Sequence, residues 1–377
     1  MSPVALPTQH AAVLHGAKDL RYEQRTLHAP RPDQCQVAVQ ATGLCGSDLH
    51  YYMHGRNGDF AVQAPLVLGH EAAGIISAVG SGVTDFAVGQ RVAIEAGIMC
   101  RKCNYCKQGR YNLCKEMRFA SSAKTFPHLD GTLQERMNHP AHVLHPLPDS
   151  CTFEQAALAE PLSVLIHAAR RAQLQKGQDV LVYGAGAIGL LACALANARG
   201  ARRVVVVDIN QARLAFAKDN GFAQQTFCLP AAARPKTPEE QLVRAKESGE
   251  RILEAFQQND GFDCIFECTG AEPCIQMAIH TAITGGKLML VGMGTRSTTL
   301  PLSAAALREV DIQGSFRYAN TYPEALELLG SGQLTNLDKL VTHRFSLADT
   351  AKAFDLLSKG ADESGRMALK VVIGPSP

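Results

Sequence analysis

The chain has 377 residues, 46% of them apolar and 19% charged, a balance that excludes a disordered protein and is too long for one ordinary core. Lys and Arg number 37 against 35 Asp and Glu, so the net charge of +2 calls for neither nucleic acid nor an anionic membrane. No run approaches the ~18 consecutive apolar residues of a membrane span, and MSPVALPTQH lacks the pattern of a secretion leader. Twelve cysteines in so large a chain read as intracellular thiols and metal ligands, so a cytoplasmic location is expected.

From about Ala11 to Leu147, short apolar runs broken by Gly, Pro and Asp predict a mostly β domain: Gln36–Gln40, Gly74–Val79 and Arg91–Ile94 are examples. Three dispersed segments there and just beyond carry mixed donors among small residues: Cys45 in GLCGSDLH, His70 and Glu71 in VLGHEAAG, and Glu160 in ALAEPLSV. A buried His is more often a core residue than a ligand. Three protein donors plus water, however, is the pattern of a catalytic zinc. Cys100, Cys103, Cys106 and Cys114, in a basic polar loop, can close a tetrahedron around Zn²⁺ with no open position, the pattern of a structural site. A redox pair is the alternative, and it would leave two cysteines unexplained.

After Phe153, strands and helices alternate. Strands are expected at Val180–Tyr183, Val204–Val207, Cys264–Glu267 and Lys287–Val291, and helices at Gly189–Arg199 and Gln211–Asn220, which implies a parallel sheet covered on both faces. Gly184, Gly186 and Gly189 form a GxGxxG turn directly after a strand and ahead of an apolar helix, the context of a dinucleotide site. Asp208, at the end of the next strand, can accept both ribose hydroxyls and favours NAD over NADP. It can also serve as a helix cap, and Arg213 nearby can neutralise a phosphate or stack on adenine. The polar stretch from Pro230 to Gly249 reads as a surface loop leading into a helix near Glu250–Gln257. A helix near Leu347–Ser358 and a strand at Ala368–Ile373 close the chain.

The motifs CGSDLHYY, VLGHEAAG, QRVAIEAG, GRYNLC, EPLSVLIHAARRA, GAGAIG, ECTGAE and REVDIQGSFRYANTYPEAL resemble the zinc-containing medium-chain dehydrogenases almost end to end, within them the sorbitol and xylitol (polyol) branch. The resemblance implies an α/β protein: a GroES-like, mostly β catalytic domain at 1–164 and 306–377, and a Rossmann doubly wound domain at 165–305. It implies NAD-linked oxidation of a polyol to a ketose, with L-arabinitol, L-idonate or threonine oxidation, or an inert dehydrogenase-fold binding protein, as alternatives. Cys45, His70 and Glu71 match catalytic zinc ligands, and Glu160 a residue on the zinc water or the metal. Ser47 and His50 match a proton relay, and Tyr51, Glu160, Arg317 and Tyr318 the polar groups around the sugar alcohol. Gly184, Gly186, Ile188, Gly189, Asp208, Arg213, Val291, Gly292, Met293, Ser315, Phe316 and Arg317 match cofactor contacts. Relatives make a homo-oligomer, a tetramer, the expected assembly. Two departures from the family pattern stand out: all four lobe cysteines are kept, unlike in mammalian members, and the Ser121–Leu129 and Pro230–Gly249 segments differ, the first near the substrate mouth, with Phe119 as an expected pocket wall.

Overall fold

The computed structural model describes residues 6–231, 235–294 and 297–375. The first five residues of the amino-terminal stretch and 232–234 of the polar stretch lie outside them. Among the described residues no helix is long and apolar enough to cross a membrane. Two compact units emerge: Met1–Glu160 with Ala319–Ser331 and Asp338–Pro377, and Pro161–Tyr318 with Gly332–Leu337.

The first unit is built on the strand Gln34–Gly43, which pairs antiparallel with Glu71–Val79 on one edge and with Arg136–Pro140 and Lys370–Gly374 on the other. Arg91–Ile94, Leu144–Pro146 and Val341–Ser346 complete a seven-stranded sheet. The apolar runs expected as strands lie inside these elements because their alternate residues are buried: Val37, Ile76, Val92 and Ile94 have no exposed surface. A second apolar cluster joins Leu14, Leu66, Leu68, Leu133, Phe354 and Val371, so the carboxy-terminal helix Thr350–Lys359 and the last strand are part of the amino-terminal core.

The second unit holds six parallel strands in the spatial order Gln225–Cys228, Arg203–Asp208, Asp179–Tyr183, Phe262–Glu267, Ala282–Leu290 and Asp311–Gly314. That is the doubly wound order whose direction reverses beside Asp179–Tyr183. Val180 to Tyr183 and Val204 to Val207 are buried throughout, as strands covered on both faces must be.

Two sequence expectations are corrected. Residues 306–318 cluster with the second unit, not the first, because Asp311–Gly314 adds to the edge of its sheet. The helix expected near Glu250 starts twelve residues earlier and runs Pro238–Ala255. The Thr237 hydroxyl accepts the Glu240 N–H, Pro238 occupies the first turn, and the Glu240 carboxylate accepts the Lys236 N–H, so this polar stretch carries a full helix start.

His139 gives the first unit a pH dependence. Fully buried, it places Nε2 2.8 Å from the Glu95 carbonyl, and burial pushes its pKa down to about 4. The folded protein therefore refuses a proton that the unfolded chain takes up near pH 6.5. Stability should fall as pH drops from about 6.5 to about 4, by roughly 3 kcal/mol from this group. Denaturant midpoints between pH 7 and pH 4 should decline less steeply in His139→Gln than in the wild type; equal slopes would refute the assignment.

Candidate functional site

The ladder itself brings the dispersed donors together. Gly43, at the end of Gln34–Gly43, pairs with Glu71, the first residue of Glu71–Val79. Cys45 follows two residues later as the N-cap of the helix Gly46–His54, and His70 precedes Glu71. One donor atom from each of Cys45, His70 and Glu71 lies within 4.8 Å of the others.

Glu71 is fully buried, and the lysine that faces it was not anticipated from the sequence. Lys370 Nζ lies 2.6 Å from Glu71 Oε2 and donates at 3.1 Å to the carbonyl of Leu44, the residue before Cys45. A Cβ at position 43 would strike the Glu71 carboxylate, so Gly43 makes the room this pairing uses. Glu71 Oε1 is buried with no hydrogen-bond partner among the described residues. An orphaned carboxylate oxygen beside a thiol and an imidazole is the donor chemistry that suits Zn²⁺.

His70 has a buried carboxylate behind it. Its Nδ1 is 3.3 Å from Asp48 Oδ1, at ion-pair distance but without hydrogen-bond alignment among the described residues, and Nε2, with Ser47 Oγ 3.5 Å from it, faces the other donors. Asp48 is fully buried; Oδ1 accepts the Gly69 N–H at 3.3 Å and the Ser121 hydroxyl, and Oδ2 accepts the Cys45 N–H at 3.4 Å. Burial pushes the Asp48 carboxyl up, but His70, Ser121 and Gly69 more than offset it and hold the pKa below the ordinary value. A buried carboxylate at ion-pair distance from the far ring nitrogen is the placement from which carboxylate–histidine–metal arrangements are built.

Other expected site residues fall nearby or elsewhere. Phe119 packs on His70, ring centroids 5.5 Å apart, as expected of a wall residue. Tyr51 is buried and its hydroxyl oxygen accepts the Ala123 N–H at 3.0 Å, which leaves its own proton to donate. Glu160 is buried and helps keep Lys370 charged. His50 is exposed one turn beyond Ser47, and no hydrogen bond joins the two among the described residues. Arg317 and Tyr318 belong to the second unit, just after its edge strand.

Cys100, Cys103, Cys106 and Cys114 also bring their sulfurs within 4.8 Å of one another. Cys103 Sγ lies 3.6 Å and Cys100 Sγ 3.9 Å from Cys106 Sγ. Thiolates about 2.3 Å from a tetrahedral zinc stand about 3.8 Å apart, so the four fit the ion. Backbone N–H groups of Lys102 and Cys103 aim at Cys100 and hold its thiol down to about 7. The seven remaining cysteines are buried or half-buried free thiols.

In the second unit the glycine turn has the required shape. Gly184 has φ +98°, a Cβ on Gly189 would collide with the Gly184 carbonyl, and a Cβ on Gly186 would meet nothing within 4 Å. Open space over the second glycine, at the start of the helix Ala187–Ala198, is where a pyrophosphate would rest. Asp208 braces this turn: its carboxylate accepts the Ala185 N–H at 2.6 Å and the Asn210 N–H at 2.8 Å. Helix Gln211–Asp219 is capped by Asn210, whose side chain accepts the Arg213 N–H, so capping falls to Asn210 and Asp208 is left to the turn. Ile188 and the run Val291, Gly292 and Met293 are at least partly exposed, as are Ser315, Phe316 and Arg317, with the Arg317 guanidinium 5.0 Å over the Phe316 ring. Glu267, also missed from sequence, ends its strand fully buried and accepts the N–H groups of Thr269 and Gly270.

A parallel-sheet unit with a dinucleotide turn, in one chain with two zinc-suited donor sets, defines a zinc-binding dehydrogenase. Residues 31–149 match the alcohol dehydrogenase GroES-like domain and 187–331 the zinc-binding dehydrogenase domain. The chain is 44% identical over 350 residues to sorbitol dehydrogenase of Gallus gallus, covering 93% of each chain. It is 40% identical to probable D-xylulose reductase A of Aspergillus terreus, covering 92% of this chain and 94% of that one. The structure of L-idonate 5-dehydrogenase from Escherichia coli aligns with a TM-score of 0.84 at 27% identity, covering 98% of each chain. The chain belongs to the zinc-dependent dehydrogenase family that includes the sorbitol dehydrogenases.

Two substitutions probe these sites. Lys370→Met should destabilise the zinc-free protein by about 3 kcal/mol, because Glu71 is left as a buried charge without its cation. Saturating zinc should recover much of that loss, since Glu71 then has a second cation. Chemical denaturation with chelator and with zinc checks this; an equal loss in both would show that Glu71 does not bind the metal. Gly186→Ala should melt within ~0.5 kcal/mol of wild type, because its φ of −78° suits alanine and its Cβ meets nothing, yet bind NADH at least ~10-fold more weakly in a fluorescence titration.

Proposed function

We propose that the chain oxidises a polyol of the sorbitol or xylitol type to the ketose with NAD, the reverse being reduction of the ketose. The observation that carries this reading is the convergence of Cys45, His70 and Glu71 with an unpartnered Glu71 Oε1, in a chain matching sorbitol dehydrogenases over nearly its full length.

Bound zinc would lower the pKa of a coordinated hydroxyl, and NAD would accept the hydride. Cys45, His70 and Glu71 hold the catalytic ion. Asp48 fixes the imidazole through Nδ1, and Lys370 holds Glu71 Oε2 so that Oε1 is presented. The Ser47 hydroxyl would accept the substrate proton while giving up its own toward the exposed His50 imidazole, which would release it to solvent, the relay role the sequence motif gives the pair. Glu160 and Tyr51 hydrogen-bond substrate hydroxyls, and Arg317 and Tyr318 keep the polar role that the sequence motif gives them. Cys100, Cys103, Cys106 and Cys114 hold a structural ion, with no position left for chemistry.

In the second unit Gly184, Gly186 and Gly189 take the pyrophosphate. Asp208 selects NAD by repelling a 2′-phosphate, and Ile188, Arg213, Val291, Gly292, Met293, Ser315, Phe316 and Arg317 line the rest of the cofactor. The working assembly is proposed to be a cytoplasmic tetramer.

The test is kcat/KM with NAD on the zinc-loaded protein for sorbitol, xylitol, L-arabinitol, L-idonate, threonine and 2-butanol. A site that hydrogen-bonds several hydroxyls leaves polar groups unpaired around a simple alcohol, so sorbitol or xylitol should exceed 2-butanol by at least ~100-fold. Equal turnover of 2-butanol would defeat the polyol reading, and preference for L-idonate or threonine would move the substrate within the family.

A further inference from the structure

The loop after Phe119 reaches the metal donors through a residue whose backbone is under strain. Ser121 is buried, yet it has φ +64°, a conformation that costs a non-glycine residue about 1 kcal/mol. It is held there by its own N–H to the Leu129 carbonyl at 3.0 Å and by the Ser122 N–H to the Phe119 carbonyl at 3.1 Å. The strained conformation delivers the Ser121 hydroxyl to Asp48 Oδ1. Two residues on, the Ala123 N–H reaches the Tyr51 hydroxyl. Asp48 and Tyr51 stand three residues apart on one face of Gly46–His54, the helix that Cys45 caps, and both are buried. Residues 121–123 therefore grip that helix at two points one turn apart.

The grip matters because Asp48 touches both donor segments, Cys45 through its N–H and Gly69–His70 through Oδ1. Those contacts are long, 3.3 to 3.4 Å, and the carboxylate is sealed from solvent. The Ser121 hydroxyl is the one side-chain hydroxyl donor to that carboxylate among the described residues. We propose that Ser121 is a positioning residue of the metal centre, acting through Asp48 on His70 and Cys45, so that the 119–131 loop and the zinc site form one hydrogen-bonded unit. This rests on the reading of Cys45, His70 and Glu71 as zinc ligands.

The test follows zinc release into a chromogenic chelator from the two-zinc protein, together with the visible spectrum after cobalt replaces the ion at Cys45, His70 and Glu71. Groups that brace metal ligands change affinity by roughly 10- to 100-fold, so Ser121→Ala should speed release of this zinc by about 10-fold and shift the cobalt bands. Release from the four cysteines, measured in the same trace, should not change. Ser121→Gly should match Ser121→Ala in zinc release even though glycine relieves the strained φ, which separates the hydroxyl from loop conformation. Ser122→Ala, which removes the hydroxyl bonded by the Lys124 N–H in the same loop, should release zinc as the wild type does. Wild-type release and spectra in both Ser121 variants would overturn the proposal. A wild-type protein holding only the four-cysteine zinc would overturn it together with the ligand reading beneath it.

Discussion

Lys370 and Glu71, a buried cation and a buried anion 2.6 Å apart, are the constraint on which the first unit is organised. Removing either charge from water costs several kcal/mol, and the close approach of the two offsets that cost. Lys370 also binds the Leu44 carbonyl, and burial, which by itself would push its pKa down, is outweighed by Glu71, so the pKa is raised. The result is geometric as much as energetic. One ammonium group fixes the backbone immediately before Cys45 and the side chain immediately after His70. It does so from a strand near the end of the chain, 299 residues beyond Glu71.

That distance explains what could and could not be read from the sequence. The strands around Ile76, Val92 and Val204 were legible because their apolar runs are buried, and the glycine turn because strand, glycines and helix follow in order. The four lobe cysteines were legible from spacing alone. The partner of Glu71 was not, because Lys370 looks like a stray cation in the apolar run ALKVVI. Only the pairing of Lys370–Gly374 with Gln34–Gly43 reveals where it points. A lysine within an apolar strand was the available signal, since it has to find a buried carboxylate. Asp48 lies inside the motif CGSDLHYY, and an aspartate in the first turn of a helix carries no signal of its own that it faces a histidine 22 residues further on. The early start of Pro238–Ala255 was missed for a different reason. Its composition is polar, and the capping pattern Thr237, Pro238, Glu240 carried the information that hydrophobicity did not.

The second unit solves its own positioning problem with the same device. Asp208 and Glu267 end the two strands that flank Asp179–Tyr183, both are buried, and each accepts backbone N–H groups from the loop that follows or faces it. Burial pushes the Glu267 carboxyl up, while Thr269 and Gly270 draw it back. A carboxylate that spends its lone pairs on loop amides converts a flexible glycine turn into a fixed one. In the zinc site Asp48 does for the loops around Cys45 and Gly69 what Asp208 does for the turn at Ala185.

Strained backbone shows where these long-range demands win over local preference. Arg101, Ser121, Arg317 and Asn320 all adopt positive φ without being glycine. Arg101 stands between two lobe cysteines, where the turn aims amides at Cys100. Asn320 sends its N–H to the Tyr111 hydroxyl and its side-chain amide to the Gly109 carbonyl, which ties the chain's return into the first unit to the cysteine lobe. Ser121 spends its strain on Asp48. Ser121 and Asn320 each close a contact with a residue far away in the sequence. A glycine would have removed the local cost, but at Ser121 and Asn320 it would also have removed the side-chain hydrogen bond that the conformation exists to make. The strain follows from requiring both a sharp turn and a polar side chain at the same position.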